Sequence, residues 1–239
     1  MHRLGHTRSA HKANHLLQTP DTFVRAPLPA MKNATAIVHI APAGGAMFTQ
    51  YTVEFDPRGS LAPSSAQRFL YVLDGIIDID RQQLHAGDFV YLPPDHEAHI
   101  VAAGRAHAAV VEKPYEPLDD RDAPGILVGH ERESPVSHLN GDPWLEVRSL
   151  LPDDAAFDFR MTTMTYQPGA GLPMVEIHVM EHGLLMLEGG GIYRLGDSWY
   201  PVSAGDFIWM APYCPQWFGA IGKVPAKYLL YKDWDRHPL

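Results

Sequence analysis

The chain is predicted to be all-β, folded as two tandem antiparallel barrels of the jelly-roll type. Three observations predict this. One sequence unit occurs twice; each copy consists of short runs rich in Val, Ile, Tyr, Phe and Thr, broken every eight to twelve residues by Gly, Pro or Asp; and helical periodicity is nearly absent.

Residues 1–30 read as an N-terminal arm. They contain no apolar run of the length that a signal peptide or membrane span needs. The arm carries His2, His6, His11 and His15, but their irregular spacing favours a solvated arm, packed on the body or on another subunit, over a metal-binding tail. Residues 31–115 hold the earlier barrel, with Phe69-Leu70-Tyr71-Val72-Leu73-Asp74-Gly75 and then Ala86-Gly87-Asp88-Phe89-Val90-Tyr91-Leu92-Pro93-Pro94. Residues 116–145, with their prolines, glycines and acidic residues, read as a connection that holds a short strand. Residues 146–239 hold the later barrel, where the unit returns as Gly183-Leu184-Leu185-Met186-Leu187-Glu188-Gly189 and Ala204-Gly205-Asp206-Phe207-Ile208-Trp209-Met210-Ala211-Pro212. The offset is 114 residues from Gly75 to Gly189 and 118 from Gly87 to Gly205, so the later hairpin carries extra residues. In both copies the Ala-Gly-Asp turn, an apolar run and prolines suit a small barrel whose mouth is open to a ligand.

The later barrel carries the chemistry. In Glu176-Ile177-His178-Val179-Met180-Glu181-His182 the residues Glu176, His178 and His182 stand at even spacing, which on an extended strand turns them to one face. Two imidazoles and a carboxylate are donors that a divalent first-row metal accepts, and Gln216 on a neighbouring strand is the candidate fourth ligand. Met180, a soft thioether on the same face, is expected to be a pocket wall, and Glu181, on the opposite face, to be solvated. Trp209 is expected to fill the barrel. Cys214 has no base paired with it in the sequence pattern and is not expected to be a nucleophile.

These positions resemble the cupin superfamily, whose first motif ends in His-x-His, three or four residues, Glu, six residues and Gly. Its second runs Gly, five residues, Pro-x-Gly, two residues and His. Here Glu176 and His178 take the two His positions, His182 takes the Glu position, Gly189 follows, and Gln216 stands eleven residues after Gly205, where the family has its last His. In the earlier copy the equivalent positions are Ala62, Ser64, Arg68 and Ala98; alanine cannot ligate and a guanidinium repels a cation, so no metal site is expected there. His96 and His99 then read as surface or packing residues.

The permuted set resembles, more narrowly, the (S)-ureidoglycine aminohydrolases, a two-barrel cupin family. The likeness is densest from about residue 160, in Glu176–Gly183, Gly191-Ile192-Tyr193, Trp199–Val202, Gly205–Ile208 and Tyr231-Lys232-Asp233. It implies a metal-dependent hydrolase that releases ammonia from (S)-ureidoglycine to give (S)-ureidoglycolate in purine and allantoin degradation. It further implies a manganese ion, Mn2+, or another divalent first-row metal on Glu176, His178, His182 and Gln216, with Tyr193, Tyr228 and Lys232 on the substrate side. Glu176 and Lys232 are the implied catalytic residues; Lys232 either pairs with the substrate carboxylate or passes a proton to the leaving amine. The flanks Tyr213-Cys214-Pro215 and Trp217-Phe218 depart from the family pattern, which bears on substrate preference.

A formal charge of -9 argues against a nucleic-acid surface and leaves a small molecule as the expected partner. No membrane partner is expected. Cys214 is the only cysteine, so no intrachain disulfide forms and the cytoplasm is the default location. A homo-oligomer is expected, because edge strands and the arm need covering. Two alternatives keep the fold: an iron cupin acting as dioxygenase or isomerase on another small acid, and a non-catalytic cupin binding protein.

Overall fold

The repeated turns fix the architecture. Gly87 and Gly205, in the two Ala-Gly-Asp turns, have φ of +89° and +90°, a region in which a side chain is strained. The following aspartate closes each turn: Asp88 Oδ2 accepts from His85 N at 2.7 Å and Asp206 Oδ2 accepts from Ser203 N at 2.9 Å. Gly75 and Gly189 also have positive φ, and a Cβ on Gly189 would stand 2.3 Å from the Pro225 carbonyl oxygen. Strand pairing repeats with them: Phe69 lies opposite Tyr91 in the earlier copy, and Gly183 opposite Trp209 in the later.

The structure, a computed structural model, describes residues 6–236. Among these the regular elements are β-strands and single 3-10 turns, and no helix is long and apolar enough to cross a membrane. The fold is all-β, as predicted. His2 lies outside the described residues.

The chain divides into two compact units. One is Val24–Ser134 with Pro152–Asp158. Its antiparallel sheet places Gln67–Asp74 between Asp88–Leu92 and Ala106–Lys113, and the long strand Thr49–Leu61 joins Ala106–Lys113 to Lys32–Ile40 and Ile100–Ala102. Val53, Phe55, Leu70, Val72, Ile77, Val90 and Val110 are buried together as its core. At the position equivalent to a ligand, Arg68 is buried and pairs with Glu112, Nη2 to Oε1 2.6 Å. Leu127–His130, from the expected connection, adds an edge strand beside Asp88–Leu92.

The other unit takes the described residues up to Phe23, Pro135–Leu151 and Phe159 onward. Its larger sheet runs, in spatial order, Ala10–Lys12, His15–Gln18, Phe207–Met210, His182–Glu188, Ala226–Lys232, Arg160–Tyr166, Leu145–Ser149 and Val136–His138; a smaller sheet is Ser198–Ser203, Gly190–Leu195 and Gln216–Ala220. Leu184, Met186, Tyr193, Ile208, Phe218 and Tyr228 form the core, alternate residues of each strand turning inward. Residues 10–18 of the arm are thus a hairpin of the later barrel, whereas Arg25–Ala26 pairs with Lys32–Ile40 in the earlier unit. His15–Gln18 pairs with Phe207–Met210, Arg8 Nη2 donates to the buried Asp206 Oδ1 at 2.9 Å, and His15 Nε2 meets Tyr200 OH at 2.9 Å.

Candidate active site in the later barrel

Glu176 and Gln216 are aligned by backbone before any side chain is considered. They form an isolated antiparallel bridge, Glu176 N to Gln216 O 2.8 Å and Gln216 N to Glu176 O 2.9 Å. The run from Glu176 to His182 is not the single extended strand that its even spacing predicted. It leaves the ladder after Glu176, bends at Val179 and Met180, and re-enters a strand at His182, while the His178 carbonyl is taken by Tyr213 N at 2.7 Å. Glu181 is also not solvated: it is 2% exposed, accepts from Trp209 Nε1 at 2.9 Å, and its carbonyl accepts from Asp233 N. Glu181 does face away from the ligand set, since it does not line the cavity that holds His182, but that face of the strand is covered rather than open to water, and Trp209 lies on it.

The bend still gathers the four side chains. His178 Nδ1 and His182 Nε2 are 2.8 Å apart, Gln216 Nε2 is 3.2 Å from His178 Nδ1, and Glu176 Oε2 is 3.4 Å from His178 Nε2. All four line one cavity of about 350 Å³, together with Tyr193, Tyr228, Lys232 and a largely apolar wall that includes Met180. A cavity of this size is at the small end of ligand sites.

The donor set fits a divalent ion in kind. Separations of 2.8 and 3.2 Å are those of neighbouring ligands on one ion, since donors at about 2.1 Å and a right angle stand ~3.0 Å apart. In the present arrangement, however, Glu176 and His182 approach opposite nitrogens of His178, so that ring occupies the middle of the group. Among the described residues no three His, Cys, Asp or Glu side chains stand in metal-binding geometry. Holding an ion requires the His178 ring to turn and join the other donors.

Burial sets the protonation of the surroundings. His182 is held well below the usual imidazole range, first by burial and then by the charges of Lys232 and His178, so it stays neutral as a ligand must. Tyr193 and Tyr228 are pushed well above the usual phenol range, mainly by burial, and remain neutral donors. Tyr193 OH donates to Gln216 Oε1 at 3.0 Å, whereas Tyr228 OH meets Tyr166 OH at 2.7 Å and Met164 Sδ at 3.3 Å. Lys232 is half-buried and lowered by burial, with Glu176 opposing that shift. Among the described residues no hydrogen-bond or ion-pair partner meets its ammonium. Cys214 is buried, with its thiol pushed up by burial, which suits a packing role. Trp209 is buried but does not fill the barrel: Ile208 and Met210 on either side of it join the barrel core, while Trp209 turns to the other face and meets Glu181.

Sequence reasoning missed part of the cavity wall. Met164 and Leu172 come from strand and loop positions with no motif, and Leu139 lies in the expected connection. Trp234 had a signal, an aromatic two residues beyond Lys232 in Lys232-Asp233-Trp234.

The cupin domain family matches residues 162–231. The chain is 40% identical to (S)-ureidoglycine aminohydrolase of Arabidopsis thaliana over 98% of its own length and 80% of that protein's. It is 30% identical to (S)-ureidoglycine aminohydrolase of Escherichia coli, over 93% and 89% of the two chains. The chain belongs to the (S)-ureidoglycine aminohydrolase family. The crystal structure of protein Ylba from E. coli superposes with a TM-score of 0.85 at 29% identity, covering 98% of this chain and 96% of that one. Members of an aminohydrolase family act on small molecules, which agrees with the size of the cavity and with the partner class expected from charge. The family match and the site coincide, since residues 162–231 include Glu176, His178, His182, Gln216, Tyr193 and Tyr228.

Proposed function

We propose that the cavity of the later barrel releases ammonia from (S)-ureidoglycine to give (S)-ureidoglycolate. The observation that carries this is the meeting, in one cavity, of a permuted Glu, His, His and Gln donor set with a lysine ammonium that, among the described residues, forms no hydrogen bond or ion pair and feels Glu176 only at longer range. Glu176, His178, His182 and Gln216 would hold a divalent first-row ion, manganese by family resemblance; the neutral amide of Gln216 leaves such a site positive enough to favour a carboxylate. When bound, the ion supplies Lewis acidity toward substrate oxygen or nitrogen atoms.

The chain's own groups do the remaining work. The reaction breaks the bond between the central carbon and its amine, forms a bond from that carbon to the oxygen of water, and returns the water's protons to the amine and the product. The free ammonium of Lys232 pairs with the substrate carboxylate; this fits its unpartnered state better than proton transfer to the leaving amine does. Glu176 accepts a hydrogen bond from the substrate amine and keeps it oriented. Tyr228, held by Tyr166, and Tyr193, held against Gln216, offer fixed hydroxyls at the cavity wall. The apolar wall excludes bulk water, which strengthens each of these contacts.

The same reading carries a place in purine and allantoin degradation, a cytoplasmic location and a homo-oligomer. The exposed edge strand Val136–His138 supports the last, because an uncovered edge invites pairing.

The test generates (S)-ureidoglycine in place and follows ammonia and product handedness with manganese-loaded and chelator-stripped protein. Ammonia release above the spontaneous rate, giving one enantiomer and depending on metal, is the expected result. A rate equal to spontaneous decay would overturn the proposal, and oxygen consumption on bound iron would favour a dioxygenase.

A further inference from the structure

Lys232 raises a question of how it is held. A lysine ammonium on a flexible four-carbon stem carries about 2 kcal/mol of rotamer entropy, and an anionic partner usually fixes it. Here the neighbour is aromatic: Lys232 Nζ stands 5.6 Å from the centroid of the Trp234 ring, within cation–π range. Trp234 is 43% exposed and lines the cavity, so it forms the outer side of the site and meets both solvent and ammonium.

The residues on either side of Trp234 are themselves tied in place. Asp233 is buried and its N–H donates to the Glu181 carbonyl at 3.3 Å, while Arg160 Nη2 stands 2.9 Å from Asp235 Oδ2. Glu181 is in turn fixed by Trp209. Arg160 and His182 are the residues opposite Lys232 on its two neighbouring strands, so these ties converge on the end of the strand Ala226–Lys232.

We propose that Trp234 is a positioning residue that holds the Lys232 ammonium toward the cavity, leaving its charge free for a substrate carboxylate. This rests on the proposed function only in taking Lys232 as the carboxylate partner. A carboxylate bridging to the ammonium keeps the ring contact, since the indole covers one side of the cation and the acid approaches from the other. An acidic partner in place of Trp234 would neutralise Lys232 and compete with substrate; an aliphatic one would leave it to wander.

The test uses N-carbamoylglycine, which has the carboxylate and ureido group but no leaving amine, as a calorimetric probe on manganese-loaded protein. Four proteins complete the cycle: wild type, Trp234→Leu, Lys232→Met and the double variant, with Trp234→Phe as the conservative control. Trp234→Leu should weaken binding roughly two- to thirtyfold, the span of a cation–π contact. Trp234→Phe should recover most of that loss, and Trp234→Leu should cost nothing further once Lys232 is Met. An equal loss in both backgrounds, a Phe variant as weak as Leu, or no binding by the wild type would overturn the proposal. Failure of ammonia release from (S)-ureidoglycine, with the cycle behaving as stated, would instead count against the assigned reaction and leave Trp234 in its role.

Discussion

Replacing Tyr193 with Phe separates two roles that one side chain could play. Tyr193 is 1% exposed and its hydroxyl donates to Gln216 Oε1 at 3.0 Å, while the Gln216 Nε2 faces His178. Oxygen and nitrogen exchange when the amide turns over, and a phenol can accept as readily as it donates, so the hydroxyl holds Gln216 in either orientation. Tyr193→Phe leaves one buried amide atom without a partner, at a cost of about 1–3 kcal/mol. If Gln216 is a ligand, that cost falls on the metal, and loss of such an outer partner lowers metal affinity roughly 10- to 100-fold. Competition against a chelator of known manganese affinity reads this directly, without substrate. An unchanged manganese affinity with only a raised KM would refute the reasoning and make Tyr193 a substrate contact alone.

Three other perturbations follow from the packing. Gly189→Ala places a Cβ 2.3 Å from the Pro225 oxygen at a φ of +62°, and thermal unfolding should show a loss of at least roughly 1–3 kcal/mol; an unshifted midpoint would contradict the strain. Arg68→Ala strands Glu112, whose Oε1 also accepts from Tyr51 OH at 3.1 Å, and should cost about 2–3 kcal/mol in urea unfolding, with Arg68→Met and Glu112→Leu together recovering part of it. Buried His39, bonded to Thr52 Oγ1, is held down to about 3 by burial. The unfolded chain binds that proton near 6.5, so stability falls as pH drops from about 6.5 toward 3, by up to ~4–5 kcal/mol. His39→Gln should flatten that fall relative to wild type, and parallel curves would refute it.

The turns were legible in the sequence because they depend on local conformation. Gly75, Gly87, Gly189 and Gly205 each need a positive φ that few residues adopt, so the repeat of the glycines carried the repeat of the barrels. That Glu176, His178, His182 and Gln216 would come together was legible, and all four line one cavity. The backbone that gathers them was not. Alternation assumes a continued ladder, and the ladder stops after Glu176, whose pairing there is one bridge with Gln216; it also cannot say whether the far face is covered, and Glu181 is buried on that face against Trp209. The arm illustrates a different limit: which edge His15–Gln18 completes depends on a partner strand some 190 residues away, and no local pattern encodes that choice. Trp234 was visible as a residue but not as a ring over the Lys232 ammonium, since the chain around it is set by ties of Asp233 to Glu181 and of Asp235 to Arg160.

Metal analysis of the purified protein, read beside the same analysis of His178→Ala, bears most directly on the site. One equivalent of a divalent first-row ion per chain in the wild type, falling to a small fraction when His178 is removed, is the predicted result. A wild type that takes up no ion from excess manganese at neutral pH, or a His178→Ala protein that keeps a full equivalent, would contradict the four-donor centre.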